Sequence, residues 1–246
     1  MRREELAGKV RAAHGENRGV YGSPRVCRAL VAAGERVSEN TVAKVMRAHG
    51  IRAKGRRRFV PRTTDGGHGR PVAGNVLGRD FAAAAPDRKW AADITYVATG
   101  EGWLYLAAVI DLCSRRVVGW SMADHMRADL VGDALAMALA RRRPAAGRLL
   151  HHSDRGSQYA SDEYQHLLES HGVACSMSGK GDCWDNAAME SFWATLKCEL
   201  VNHERYATRE QARASVFEYV EVFYNRQRLH SSLGYLSPEQ FEAGLN

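Results

Sequence analysis

"RKWAADITYVAT" occupies residues 88 to 99, and how it is read decides how the rest of the chain is read. Trp, Ile, Tyr, Val and Thr suit a pleated, half-buried surface, and Gly100 ends the run, so the stretch predicts a strand. "GWLYLAAVIDLC" (102–113) and "RRVVGWSMA" (115–123) follow after Gly and Ser turns and read as two more strands, together an antiparallel meander. Residues 127–143 then switch to helical period, with Leu130, Ala134, Leu135, Ala138 and Leu139 on one face. A short apolar run, "RLLHH" (148–152), is the fourth strand. Ser161 caps a helix through Leu168, Gly172 stops it, and "VACSMS" (173–178) is the fifth strand. Helical patterns return from Asp185 to Leu200 and from Thr208 to Asn225. The order βββαβαβαα describes a five-stranded mixed sheet flanked by helices, an α/β arrangement that fits the ribonuclease-H-like fold.

Ahead of this core, residues 21–51 read as two short helices around a tight turn. Pro24 starts the first, Val26, Leu30 and Val31 share its face, and Gly34 ends it. Ser38 caps the second, whose Val42, Val45 and Met46 point one way and whose Asn40, Ala43, Lys44 and Arg47 point another; Gly50 closes it. An apolar-faced pair with a polar, basic second helix matches a small all-α helix-turn-helix domain, whose second helix enters the major groove. "RAKGRRRFVPR" (52–62), with Arg56, Arg57 and Arg58 at its centre, adds six cations and reads as a phosphate-tracking arm. The Gly-rich "TTDGGHGRPVAGN" (63–75) is the interdomain linker. The expected organisation is 1–62 helix-turn-helix domain with basic arm, 63–78 linker, 79–205 catalytic core and 206–246 C-terminal helical extension.

Charge follows the same division. The chain carries +7 overall, but residues 1–75 hold 17 Lys/Arg against 6 Asp/Glu, and the remainder 18 against 22. A basic N-terminal third joined to a mildly acidic globular part points to a polyanion partner. The five cysteines form no C-x-x-C pair, which argues against a zinc finger and for a reducing compartment. The longest apolar run, Trp103 to Ile110, is too short to span a bilayer, so no membrane association is expected and a cytoplasmic location is.

Three acids stand where an acid needs a reason. Asp154, in "LHHSDRGSQY" (150–159), ends the fourth strand, where α/β sheets open a crevice; a turn-capping role is the plain alternative. Asp93 lies in mid-strand, facing opposite Ala92 and Ile94, and taken alone reads first as a solvated edge residue. Glu190 lies on a helical pattern with Asn186 and Lys197 within about 40° of one stripe, while Trp193 and Leu196 pack inward. Between Asp154 and Glu190 lie 190 − 154 − 1 = 35 residues, room for one helix, one strand and a turn that bring the glutamate back over the strand's end. Clustered carboxylates resist ionisation, so a fold that gathers three is most simply explained by bound divalent cations, and an all-carboxylate set suits Mg²⁺ or Mn²⁺, two ions serving an in-line phosphoryl displacement.

Five stretches, "YGSPRV" (21–26), "WAADITYV" (90–97), "HHSDRGSQY" (151–159), "SMSGKGDCWDNAAMESFWATLKCEL" (176–200) and "YNRQRLHSSLGYLSP" (224–238), occur in this order over nearly the whole chain. Together they closely resemble the integrase-like DDE transposases of bacterial insertion sequences, the group assembled from two overlapping reading frames and related to the retroviral integrase core. The resemblance implies that Asp93, Asp154 and Glu190 are the catalytic and metal-binding triad, with Asp93 bridging two ions and the other two holding one each. It also implies that Lys197 contacts the element's terminal nucleotides or phosphates. Water would cut at an element end, and the freed 3′-OH would attack another strand without a covalent enzyme intermediate. The partners it implies are double-stranded DNA, as the element's terminal repeats and as target, and further copies of the chain assembled on that DNA. In related elements the first frame encodes a further helix-turn-helix, often with a leucine zipper, so this chain is expected to be the second-frame product, completed by the first-frame product or by a frameshift fusion.

Several residues stay open at this level. His152 and Ser153 orient Asp154 or fill space beside it, and Asn186 polarises the site's edge or caps the helix. Tyr224, Asn225, Arg228 and His230 form a polar cluster that touches DNA or packs with its helix. Asp111, at the end of the second strand, is a weak fourth acid because nothing else requires it. Two other classes stand beside a strand-transferase: a DNA-binding regulator without chemistry, which the intact triad argues against, and a junction resolvase, which has little need of a groove-reading helix.

Overall fold

Residues 2–55, 71–179 and 182–245 are described by the computed structural model. The chain begins with three helices, α1 (Arg2–Glu16), α2 (Ser23–Ala32) and α3 (Glu39–Ala48). Ser38 Oγ accepts the Thr41 amide at 3.3 Å as the expected cap of α3, and Gly34 and Gly50 take left-handed φ of +88° and +66° just beyond α2 and α3. Val26, Leu30, Val42, Val45 and Met46 meet in a small core, as patterned. Val31 does not join them: it is 48% exposed, because at about 100° per residue it falls outside the arc spanned by the buried Val26, Leu30 and Cys27. The third wall of this core is α1, contributing Ala7, Val10 and Ala13.

Five strands form one sheet in the order β3-β2-β1-β4-β5: β1 (Lys89–Thr99), β2 (Gly102–Asp111), β3 (Val117–Ala123), β4 (Leu150–Ser153) and β5 (Ala174–Met177). The meander β1-β2-β3 is antiparallel, and β1, β4 and β5 run parallel. One face, with Trp90, Ala92, Val109 and Val118, is covered by α4 (Ala128–Arg142) and α5 (Asp162–Ser170). The crossing of β3 by α4 is close: a Cβ on Gly119 would stand 2.2 Å from the Ala134 carbonyl oxygen. The opposite face, with Ala91, Val97, Leu106 and Ile110, packs against α6 (Ala187–Glu199) and α7 (Arg209–Glu218). The expected single helix from Asp185 is corrected here: a 3₁₀ turn, Cys183–Asn186, precedes α6.

Beyond α7, Tyr219–Tyr224 widens into a π-helix and the chain ends in α8 (Pro238–Ala243). The polar cluster Tyr224, Asn225, Arg228 and His230 is buried. Asn225 gives and receives hydrogen bonds of 2.9 Å at the Val117 backbone, completing the edge of β3 as another strand would. Tyr21, ahead of α2, receives the Leu229 amide at 2.8 Å, and Lys54 reaches the Glu199 carbonyl at 3.3 Å, so the N-terminal helices rest on the C-terminal ones. Of the expected linker, residues 74–78 lie along the core: Ser176 Oγ accepts the amides of Val76 and Leu77, both at 3.0 Å, and Leu77 is buried. Arg56, Arg57 and Arg58 fall outside the described residues. No described helix is long and apolar enough to cross a membrane.

Candidate active site

The parallel ladder between β1 and β4 pairs Lys89 with Leu150, Trp90 with His151 and Ala91 with His152, always 61 positions apart. Asp93 and Asp154 are also 61 apart; the paired ladder stops at Ala91 and His152, Asp154 follows just past the end of β4, and its charge acts on Asp93. Asp93 leaves β1 on the α6 face. Its Oδ1 accepts the Ile94 amide at 2.8 Å and its Oδ2 the Trp193 indole at 2.9 Å. Asp154 Oδ1 accepts the Gly156 amide at 2.9 Å, the turn expected from "DRGS". Glu190 stands exposed in the first turn of α6.

Burial raises the Asp93 carboxyl to about 7, with the Asp154 charge adding to it and Glu190 contributing less, against the lowering effect of the Ile94 and Trp193 hydrogen bonds. The same pair bears on Tyr159, whose hydroxyl is buried without a hydrogen-bond partner among the described residues. Among those residues no three His, Cys, Asp or Glu side chains converge tightly enough to enclose a cation as they stand.

The residues around the acids fall into distinct tasks. His152 turns away from Asp154: its Nδ1 meets Ser176 Oγ at 2.9 Å and its Nε2 meets Ser178 Oγ at 3.2 Å. Because Ser176 Oγ already accepts two amides, it donates to Nδ1, which leaves the proton on Nε2 for Ser178; Ser178 in turn donates to the Ser153 carbonyl at 3.3 Å. His152 is therefore a neutral spacer between β4 and β5, held down to about 4 by burial. Asn186 does not cap α6 with its side chain; its amide donates to the Ala92 carbonyl at 3.1 Å, tying the start of α6 to the residue before Asp93. Lys197 lies with Nζ 5.2 Å from the Tyr96 ring centre, and burial lowers its pKa while Asp93 partly restores it. Asp111 is wholly structural, accepting the Asp87, Cys113 and Ser114 amides and the Trp90 indole.

Integrase core domain families match residues 83–183 and 171–238, and an HTH-like domain family matches residues 1–59. The transposase InsF of insertion sequence IS3A from Escherichia coli is 49% identical over 240 residues, which cover 98% of this chain and 83% of that one. The chain belongs to the IS3-type, integrase-like transposases.

This transposase is also 46% identical over 238 residues to an uncharacterized 31 kDa protein of insertion element IS600 from Shigella sonnei, covering 97% of this chain and 87% of the other. In fold it resembles a chain of the simian T-cell lymphotropic virus intasome, with a TM-score of 0.54 at 15% identity over 87% of this chain and 69% of that one. The transposase exposes Asn40, Lys44 and Arg47 on α3, away from Val42, Val45 and Met46. Sequence reasoning missed Trp193 as the partner of Asp93 and had no role for Asp185. Asp185 accepts the Gly179 amide at 2.7 Å, Asn75 at 2.9 Å and Arg79 at 2.8 Å, and so clamps the turn that leads into α6. Only its place between the fifth strand and the glutamate helix hinted at that.

Proposed function

We propose that this transposase cuts DNA at the ends of an insertion sequence and joins the freed 3′-OH to a target strand, with Asp93, Asp154 and Glu190 as catalytic, metal-holding residues. The observation that carries the reading is that Asp93, tied to α6 through Trp193, feels the charges of both Asp154, just past the end of the adjacent parallel strand, and Glu190 on α6. The donors fit Mg²⁺ or Mn²⁺: they are carboxylates alone, and a cation relieves the burial and like charge that keep Asp93 protonated near neutrality. When bound, two such ions activate the attacking oxygen and neutralise the charge that builds on the phosphoryl oxygens.

In the cutting step a water oxygen bonds to phosphorus as the P–O3′ bond breaks, leaving a 3′-OH on the element and a 5′-phosphate on its flank. In the joining step that 3′-oxygen bonds to a target phosphorus as the target's P–O3′ bond breaks. The chain's contribution is orientation. Trp193 and Ile94 hold the two oxygens of Asp93, and Gly156 holds one of Asp154, so the remaining lone pairs point in set directions. His152 and Asn186 support them from behind, through β5 and the Ala92 carbonyl. Lys197 offers its cation beside Asp93 to the terminal phosphates. On α3, Asn40, Lys44 and Arg47 read the terminal repeat in the major groove, with Arg56, Arg57 and Arg58 following the phosphates. Further copies of the chain assemble on the DNA, joined by the first-frame product or replaced by its frameshift fusion.

The test is strand cleavage and joining on a labelled duplex carrying the element's own end, with Mg²⁺, Mn²⁺ or EDTA, using this chain and the fusion. Metal-dependent nicking followed by a joined product, both lost in Asp154→Asn while DNA affinity stays, is the expected result. Tight binding without cutting by either protein would replace this reading with that of a DNA-binding regulator.

A further inference from the structure

The face of α6 turned roughly 100° away from Glu190 lines a cleft of about 430 Å³ through Ala187, Ser191 and Thr195, and Arg25, Arg115 and Arg228 line the same cleft. The three guanidiniums come from α2, from the turn between β2 and β3, and from the segment after the π-helix. One carboxylate serves them. Glu199 binds Arg228 at 2.6 Å and the Tyr219 hydroxyl at 2.7 Å, and stands 3.9 Å from Arg25. Arg115 has no acid within ion-pair distance among the described residues. All three cations act on His230 in the cleft wall, which burial first and these charges next hold neutral, down to about 2. Three guanidiniums around one carboxylate leave two positive charges uncompensated in a half-buried space, an arrangement that costs stability until an anion completes it.

The position of the cleft selects the anion. Ile110, in its wall, pairs with Ala91, which precedes Asp93 by two residues and points the same way from β1. Arg25 belongs to α2, which packs against α3, so the cleft adjoins the N-terminal helices as well as the sheet face that carries Asp93. A turn of about 100° on a helix some 10–12 Å across separates the cleft face from Glu190 by ~8 Å, or about two to three nucleotide steps along a strand. We propose that this cleft binds the phosphodiester backbone of the DNA strand that enters the active site, a few nucleotides from the phosphate being cut, through Arg25, Arg115 and the hydroxyls of Ser191, Ser231 and Ser232. This rests on the DNA-cutting reading above.

Binding of the full chain to a labelled duplex carrying the element's terminal repeat, measured across a range of salt, tests it. Arg115 has a φ of +61°, which Asn tolerates, so Arg115→Asn removes the charge and keeps the turn. It is expected to weaken binding several-fold and to lower the slope of log affinity against log salt by about 0.7–0.9, the share of one neutralised phosphate. Thr195→Glu, which sets a carboxylate in the cleft, is expected to weaken binding by about tenfold or more. Unchanged affinity and slope in both variants, with melting temperatures retained, overturn the cleft while leaving the DNA-cutting reading intact. If Arg115→Asn fails to fold, Thr195→Glu and Arg25→Gln decide by the same readout. Stabilisation by inorganic phosphate that Arg115→Asn abolishes without any effect on DNA binding also overturns the proposal, in favour of a small-anion site. Failure of the wild-type chain to bind DNA at all overturns both readings.

Discussion

The indole Nε1 of Trp193 donates a 2.9 Å hydrogen bond to Oδ2 of Asp93, joining the glutamate helix to the strand that carries the first acid. The bond favours the ionised carboxylate, against the burial that favours the protonated one. Trp193→Phe keeps the packing and removes the donor. A hydrogen bond to a charged group contributes about 1.5–3 kcal/mol, so the Mg²⁺ concentration for half-maximal cleavage is expected to rise by roughly tenfold. An unchanged Mg²⁺ titration would show that the indole only packs.

Asp93 itself links stability to pH. Its folded pKa, about 7, lies above the ordinary aspartate value of 3.8, so the folded state binds this proton more tightly than the unfolded one. That contribution is complete below pH ~4 and is lost as pH rises through 7. In EDTA, Asp93→Asn is therefore expected to melt higher than wild type at pH 8, by about 1–3 kcal/mol in stability, and level with it at pH 4. Added Mg²⁺ closes the gap at pH 8 by binding wild type alone. The variant is expected to lose DNA cutting. Melting curves at the two pH values check the sign.

Glu199 and Arg228 form a buried ion pair that also receives Tyr219, at the place where the N-terminal and C-terminal helices meet. Glu199→Gln leaves Arg228 buried without its counter-charge and is expected to cost about 3–5 kcal/mol, measured by denaturant unfolding. Replacing both partners with apolar residues of similar size is expected to cost much less. Equal losses in the single and double variants would contradict the desolvation account.

Lys44 and Arg47 project from α3 with no part in its core. Their alanine variants are expected to change stability by no more than about 0.5 kcal/mol, while each lowers the salt dependence of DNA binding by about 0.9 for every phosphate left unneutralised. Arg47→Ala additionally relaxes sequence preference if it meets a base edge rather than a phosphate. Competition between specific and random duplex distinguishes the two.

Gly119 marks the tightest crossing in the sheet, where an added Cβ would press on Ala134 and Ala138 of α4. Backbone atoms cannot yield as a flexible side chain can, so Gly119→Ala is expected to cost about 3 kcal/mol or more. Thermal melting reads it directly.

Much of the fold was legible in the residues because it is local. Alternation in "WAADITYV", the 3.6-residue period of 127–143 and the caps at Ser38 and Ser161 each depend on neighbours within a few positions, and each strand and helix they predict is present. The long motifs marked the three acids before any geometry was known. Even so, α1 went unread, since Ala7, Val10 and Ala13 form a stripe too small and too weakly apolar to stand out from its charged flanks.

What the residues alone determined, then, was the succession of elements from α2 onward and the sign of the N-terminal charge, and they singled out the candidate acids, all through properties of short stretches. Only the tertiary structure decided who their partners are. It brought the charge of Asp154 to bear on Asp93, turned His152 toward Ser176 and Ser178, buried Asn225 and Arg228 where the sequence left DNA binding open, and gathered Arg25, Arg115 and Arg228 into one cleft. Those relations join positions tens to two hundred residues apart, and a side chain's desolvation and field depend on what the fold brings against it rather than on what precedes it in the chain.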